Sequence, residues 1–295
     1  MNTATADYGK LMLRRNRPSR SNIEAPMNVA PVLFVSHGAP TFALDPGVLG
    51  PRLRTLGAQL TGVKAILVVS AHWQTRGVRV MTSAAPATMH DFGGFDPALY
   101  ELQYPVAGHP KLAQEAGQLL ADAGFEVAFD AQRGLDHGAW VPLRHLLPDA
   151  NVPVFQVSMP SGLDPAGALR LGRALAPLRA RGVLIVGSGS LTHNLYELED
   201  PGADAAGYAR EFAGWVRKAV IADEVDALVN YRREAPHAAR AHPTDEHYLP
   251  LLVAAGALAH DEIAEVLDGG VTYGVLSMES YAWGVGSPGA RAAVH

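Results

Sequence analysis

Three times along the chain, a short apolar run rich in β-branched residues leads into a loop that contains serine, glycine or histidine. The runs cover residues 32–35, 65–70 and 183–186. Short, continuous runs of this kind are typical of strands that are buried on both faces of a largely parallel sheet. Helices must then cover both faces of that sheet. The sequence therefore predicts an α/β fold of three layers, in which a largely parallel or mixed central sheet carries helices on both faces.

Helical spacing and further apolar runs fill in the rest of this pattern. The predicted helices cover residues 111–123, 165–180, 205–222 and 247–259. Two further strands are predicted at residues 152–158 and 272–278. Thr244 is the predicted N-cap of the last helix, because a threonine hydroxyl can accept a hydrogen bond from the first turn.

Composition limits the class of protein. Of 295 residues, 48% are hydrophobic and 18% are charged, which suits a globular protein, and we expect a single domain over residues 27–295. Residues 1–26 are polar, so we expect them to form a disordered extension, or translation to begin at Met27.

Charge and hydropathy also limit the partners. The net charge of −5 gives no basic footprint for nucleic acid. No apolar run reaches the roughly 20 residues that span a bilayer, so we expect no membrane partner and a cytoplasmic location. The oligomeric state stays open.

Histidine is the residue type that offers chemistry here. The chain has no cysteine and 12 histidines, so any metal must be bound by nitrogen and oxygen ligands. His37, His72 and His193 each follow a predicted strand. One such histidine is more often a hydrogen-bonded loop residue than a ligand, but the carboxyl ends of parallel strands meet at one edge of a sheet. The three histidines are therefore predicted to converge on one site.

The segment from His242 to His247 supplies further candidate ligands at the start of the last predicted helix. Asp245 and Glu246 also suit the positive end of a helix, where they would serve stability alone. Neighbouring residues on a helix point about 100° apart, so Glu246 and His247 are not expected to bind the same metal directly.

Two loops supply candidate pocket residues. The glycine-bearing loop that holds His90 and Phe92 either lines a pocket or forms a simple turn. The second loop places His137 three residues before Trp140, which pairs a proton-handling group with an aromatic ring that can stack on a planar substrate.

Several of these motifs, taken in order, resemble one known family. They are Ser36-His37-Gly38-Ala39-Pro40, Ser70-Ala71-His72-Trp73, His90-Asp91-Phe92-Gly93-Gly94, Asp136-His137-Gly138, Ser188-Gly189-Ser190-Leu191-Thr192-His193-Asn194 and Pro243-Thr244-Asp245-Glu246-His247-Tyr248-Leu249-Pro250. The series is similar to that of the 4,5-DOPA extradiol dioxygenase branch of the class III extradiol ring-cleaving dioxygenases. The similarity extends from Pro31 to Gly284.

The resemblance implies roles for particular residues. His37, His72 and His247 would bind one divalent metal per chain, in a branch where His247 replaces the glutamate of other class III members. Glu246 and His242 remain alternative ligands. His193 would be the catalytic acid and base, and His137 a second proton donor.

The resemblance also implies the reaction. Such an enzyme opens the ring of a catechol, for example an L-DOPA-like one, and inserts both atoms of O₂. Fe(II) would support this activity, and Zn is possible in the same site.

Two other functions remain open at this stage. The same ligands would suit a zinc hydrolase in which Glu246 or His193 is the general base. The scaffold would also suit a non-catalytic protein that binds a metal or a ligand.

Overall fold

A six-stranded mixed sheet forms the centre of the computed structural model, which describes residues 29–259 and 262–285. The strands of these residues are β1 (Val32–Ser36), β2 (Ala65–Ser70), β3 (Gln74–Thr75), β4 (Val78–Met81), β5 (Val127–Asp130), β6 (Val154–Gln156), β7 (Met159–Pro160), β8 (Val183–Gly189), β9 (Glu265–Leu267), β10 (Val271–Thr272), β11 (Leu276–Ser277) and β12 (Ser280–Trp283). The extension predicted for residues 1–26 lies outside the described residues.

Helices connect most of these strands. The α-helices are α1 (Leu49–Gly57), α2 (Pro97–Tyr100), α3 (Pro110–Asp122), α4 (His137–Leu146), α5 (Pro165–Leu175), α6 (Gly207–Ile221), α7 (Val225–Val229), α8 (Tyr231–Glu234), α9 (Ala238–Ala241) and α10 (Leu249–Gly256). Short 3₁₀ segments occur at Pro40–Ala43, Ala176–Arg181 and Leu195–Glu197. In the part of the chain that the structure describes, no helix is both long and apolar enough to cross a bilayer.

The strand order of the central sheet is β6-β2-β8-β1-β12-β9. The first four strands are parallel to one another, and β12 pairs antiparallel with both β1 and β9. Every residue of β1, β2 and β8 is buried, which accounts for their continuous apolar sequences. The predicted mixed α/β sheet is confirmed.

Consecutive residues of β8 show that both faces of the sheet are covered. A Cβ added at Gly187 would overlap the carbonyl oxygen of Pro250, in the first turn of α10. The hydroxyl of Ser188, the next residue, donates to the carbonyl of Gly138, in α4. Because successive residues of a strand point to opposite faces, α10 and α4 lie on opposite sides of the sheet. The predicted three layers are confirmed.

The helices predicted over residues 111–123 and 205–222 are confirmed with small shifts at their ends. The helix predicted over residues 165–180 is α-helical to Leu175 and continues as a 3₁₀ segment, and the last helix begins later and ends earlier than predicted. The predicted N-cap at Thr244 is wrong: α10 begins at Leu249, and the hydroxyl of Thr244 donates instead to Glu246. Asp245 accepts hydrogen bonds from the Tyr231 hydroxyl and the Arg232 guanidinium. These bonds hold the preceding segment as an irregular turn.

The strand predicted over residues 272–278 is also wrong. This segment forms part of a small hairpin, in which β10 and β11 pair around a turn. Tyr273 and Gly274 occupy that turn with φ of 52° and 70°, a left-handed conformation that interrupts a strand.

Candidate metal centre

Three histidine side chains meet at the carboxyl edge of the parallel strands. Nε2 of His72 lies 2.9 Å from Nε2 of His37 and 3.3 Å from Nε2 of His247. His37 directly follows β1, His72 lies two residues beyond β2, and His247 lies in the turn before α10. These are ring atoms that can ligate a metal, and they come from widely separated parts of the chain.

The tautomer of His37 is fixed by a buried serine. The Ser188 hydroxyl donates to the carbonyl of Gly138, so its oxygen accepts the hydrogen bond from Nδ1 of His37, at 3.0 Å. The proton of the neutral imidazole is therefore on Nδ1. The lone pair of Nε2 is left facing His72.

Glu246 fixes the tautomer of His247 in the same way. Its carboxylate accepts a hydrogen bond from Nδ1 of His247 at 3.0 Å. Partners of this kind orient ligand imidazoles and raise their basicity. Nε2 of His247, which lies nearest to His72, is again the unprotonated nitrogen.

The loop that carries His72 is held by Asp136. The hydroxyl of Ser70 donates to Asp136 at 2.7 Å and accepts from the backbone N–H of His72 at 3.2 Å. Arg133 and Gln156 donate to the second oxygen of this fully buried carboxylate, each at 2.9 Å. Asp136 is thus saturated with hydrogen bonds and serves to position the loop.

All three converging imidazoles are neutral at pH 7. Burial, followed by repulsion from neighbouring histidines, holds the pKa of His37 and the pKa of His247 well below the usual value. Burial also lowers the pKa of His72 to about 4. Neutral imidazole is the form that ligates metals, so this donor set suits a divalent cation.

His193 lies beside the three converging histidines. Its ring stacks on that of His247, with centroids 3.4 Å apart and planes inclined by 10°. Burial lowers the pKa of His193, although the charge of Glu246 opposes this.

His137 is paired with Asp91, a residue to which the sequence pattern assigned no role. One oxygen of Asp91 accepts from the backbone N–H of His137 at 2.9 Å and from its Nδ1 at 3.0 Å. Burial raises the pKa of Asp91, but its hydrogen bonds and its attraction to His137 outweigh burial and bring the pKa to about 2. The ring of His137 lies 3.9 Å from that of His72, centroid to centroid.

Among the described residues, two groupings of candidate ligand atoms lie within 4.8 Å of one another, namely His37 with His72 and His137, and His193 with Glu246 and His247. Both differ from the triad implied by the resemblance. In the first grouping, Ser188 holds Nδ1 of His37 and Asp91 holds Nδ1 of His137. In the second, Glu246 holds Nδ1 of His247.

A cavity of about 290 Å³ opens above the histidines. His72, His137, His193 and His247 are among its lining residues, and its surface is mostly apolar. The site thus combines candidate metal ligands, titratable side chains and a space for a small molecule.

Comparison with known proteins identifies the family. The family model "Catalytic LigB subunit of aromatic ring-opening dioxygenase" matches residues 49–283. This chain belongs to the LigB family. It is accordingly an extradiol ring-cleaving dioxygenase, as the motif series implied.

Relatives of this LigB-family chain extend over most of its length. It is 39% identical over 260 residues to a "4,5-DOPA dioxygenase extradiol" from Beta vulgaris, which covers 86% of this chain and 96% of the relative. A protein of the same name from Escherichia coli K12 is 40% identical over 256 residues, covering 85% and 93%. The crystal structure of an uncharacterized protein from Escherichia coli K12 is similar with a TM-score of 0.71 and 34% identity, covering 86% of this chain and 99% of that one.

Some predicted site residues of this LigB-family chain lie outside the cavity lining. Phe92 lines the cavity, but His90 and Trp140 do not. Nε2 of His90 is hydrogen bonded to the carbonyl of Leu102. Trp140 is fully buried, and its indole N–H donates a hydrogen bond to the carbonyl of Met89. His242 is also buried, and its Nε2 bonds to the carbonyl of Leu191.

Other LigB site residues gave little sequence signal. Ser188 and Asp91 lie inside the motif series, yet a serine or an aspartate in a loop usually has only a local role. Phe95, Leu195, Leu198 and Tyr273 line the cavity from three separate segments, and only the fold brings them together.

Proposed function

We propose that this LigB-family enzyme opens the ring of a catechol with O₂ at Fe(II) bound by His37, His72 and His247. In this proposal, His193 is the catalytic acid and base and His137 is a second proton donor. The main support is the position of Nε2 of His72, which lies 2.9 Å from Nε2 of His37 and 3.3 Å from Nε2 of His247. All three imidazoles are neutral.

Hydrogen bonding favours this triad over the other groupings. Ser188 and Glu246 occupy the Nδ1 atoms of His37 and His247, so the free lone pairs of both rings lie beside His72. His137 is reserved for proton transfer in this assignment because Asp91 orients it from outside the triad. Fe(II) bound there would favour deprotonation of the catechol and carry electron density from the ring to O₂.

His193 is suited to move the first proton. Within the described residues, neither of its ring nitrogens has a hydrogen-bond partner, and the ring lines the cavity. Burial keeps it neutral at pH 7, so it can accept a proton from a catechol hydroxyl and later return one. Its stacking on His247 fixes the ring beside the proposed metal.

His137 is suited to supply a second proton from another wall of the cavity. Asp91 accepts a hydrogen bond from Nδ1 of His137 and fixes the ring, which leaves Nε2 to exchange protons with a bound substrate. An oriented imidazole of this kind would protonate a developing oxyanion as the ring opens.

The proposal also covers the substrate, the domain organisation and the cellular location. A catechol is the substrate, and L-DOPA is the reference compound because several relatives carry its name. We retain the predicted single catalytic domain over residues 27–295 and the cytoplasmic location.

Oxygen uptake on metal-exchanged protein tests this function. The protein would be stripped of metal, refilled anaerobically with Fe(II) or with Zn, and mixed with L-DOPA and a panel of simple catechols. We expect O₂ uptake and a yellow product from the Fe(II) form alone. No uptake from either form with any catechol would overturn the proposal, and ester or amide hydrolysis by the Zn form would then favour a hydrolase.

A further inference from the structure

The lining of the cavity above the histidines is mostly apolar. Its apolar lining comes chiefly from Phe92, Phe95, Leu195, Leu198 and Leu276. Among the described residues, none of those lining the cavity is lysine, arginine, aspartate or glutamate. A charged substituent that points away from the histidines would therefore find no ion-pair partner among the lining residues.

Apart from the histidines, the polar groups near the cavity are already engaged. The Tyr273 hydroxyl, in the cavity wall, is hydrogen bonded to the hydroxyl of Thr41 at 2.9 Å. Asp91 and Glu246 each bond to the Nδ1 atom of an imidazole, and both would repel a carboxylate.

A cation near the mouth of the cavity is also engaged. Arg240 pairs with Glu197, in the loop between Leu195 and Leu198, at 2.8 Å. Its guanidinium carbon lies 4.2 Å from the centroid of the Tyr208 ring. Recruiting Arg240 to a substrate would break both interactions.

The mouth itself exposes apolar surface. Leu195 and Leu198 are 55% and 45% exposed although both line the cavity. A ligand that extends from the histidines toward solvent would cover these side chains, and burial of apolar against apolar surface is favourable.

We propose that the preferred substrate carries an uncharged, apolar ring substituent, an alkyl or aryl group of a few carbons, which packs against Phe92, Leu195 and Leu198. This inference rests on the proposed catechol dioxygenase function and makes its substrate class more specific. The cavity of about 290 Å³ is near the lower limit for ligand pockets, so a single ring with a short substituent fits it. A carboxylate or an ammonium group there would lose hydration without gaining a partner.

A substrate series of matched size tests the proposal. The Fe(II)-loaded full chain would be assayed for O₂ uptake with propylcatechol, dihydroxyphenylpropionate, dopamine and L-DOPA. We expect kcat/KM for propylcatechol to exceed that for each charged compound by about tenfold or more. A higher kcat/KM for L-DOPA than for propylcatechol would overturn this inference, whereas absence of O₂ uptake with every catechol would overturn the underlying function.

Two variants test the role of the mouth. Leu198→Arg supplies the missing cation, so kcat/KM for dihydroxyphenylpropionate relative to propylcatechol should rise about tenfold. Leu195→Arg repeats the test from a second position. Ile221→Arg places the same charge on a 61% exposed residue that does not line the cavity, and should leave the ratio unchanged. An unchanged ratio in both leucine variants, with native thermal unfolding, would contradict the assignment of the substituent to this wall.

Discussion

The rings of His193 and His247 lie nearly parallel, with centroids 3.4 Å apart. Glu246 bonds to Nδ1 of His247, and its charge also opposes the effect of burial on the pKa of His193. One carboxylate thus influences both a proposed ligand and the proposed acid and base. The two roles are separable because they predict different losses upon mutation.

Replacement of His193 should abolish turnover without releasing metal. We expect His193→Ala to lower kcat by about a hundredfold to ten-thousandfold, the usual contribution of a positioned acid and base. Iron content, measured on the same preparation, should stay at the wild-type level. His237→Ala is the control, because His237 is a surface histidine paired with Glu211 and does not line the cavity. Loss of iron from the His193 variant would instead make His193 a ligand.

Glu246 should act on metal affinity through His247. Glu246→Ala removes the acceptor for Nδ1, so the dissociation constant for Fe(II), measured by chelator competition, should rise about tenfold to hundredfold. Glu246→Gln retains an acceptor oxygen and should lose much less affinity. If glutamine proves as damaging as alanine, Glu246 itself binds the metal.

Asp91 should control turnover through His137. Asp91→Asn removes the charge that orients and stabilises a protonated His137, and we expect kcat to fall about tenfold to hundredfold with the metal retained. The pH profile of kcat, measured on the same variant, gives a second readout. A rise in KM alone, with unchanged kcat and pH profile, would show that Asp91 only shapes the pocket.

Gly189 should be required for the close approach of His247 to the sheet. A Cβ added at Gly189 would overlap the carbonyl oxygen of His247, so Gly189→Ala should lower the free energy of unfolding by about 1 to 3 kcal/mol and weaken metal binding. Gly214→Ala, in α6, is the matched control because its added Cβ meets nothing within 4 Å. That control should be neutral or stabilising, by up to about 1 kcal/mol. Urea unfolding of both variants measures the difference.

His242 should make the metal-free protein sensitive to acid. Burial lowers its pKa from 6.5 to about 4, so the unfolded chain binds the proton more readily than the folded one. Its contribution to stability is therefore complete above pH 6.5 and is lost as the pH falls from 6.5 toward 4. At about pH 4.5 the loss should reach about 2 to 3 kcal/mol relative to neutral pH.

The His242 contribution can be isolated by comparison with His242→Gln, which keeps a donor for the carbonyl of Leu191 but cannot be protonated. Urea unfolding of both proteins without metal, at neutral pH and at about pH 4.5, should show a smaller acid loss in the variant. Equal losses would show that other groups cause the acid sensitivity.

The sequence was sufficient to predict the parts of the site that depend on local pattern. The apolar strands β1 and β2 are recognisable from their continuous runs, so His37 and His72 could be placed at one sheet edge. His247 could not be placed in this way, because the turn before α10 depends on the bonds that Tyr231 and Arg232 make to Asp245.

The residues that line the cavity could not be predicted from sequence pattern. Leu195 and Leu198 are exposed leucines in a loop, and nothing in their spacing distinguishes them from ordinary surface residues. Tyr273 lies within an apolar run whose sequence predicts a strand. Its positive φ instead forms a turn, and Tyr273 lines the cavity.

The pairing of β1 with β12 has a consequence for protein synthesis. His37 follows a strand whose antiparallel neighbour comprises Ser280–Trp283, and His247 lies on a segment that closes against β8. A ribosome must therefore release the chain through Trp283 before the strand that precedes His37 can pair on both of its edges. The proposed metal would thus be bound by a chain in which β1 already has its neighbours on both sides.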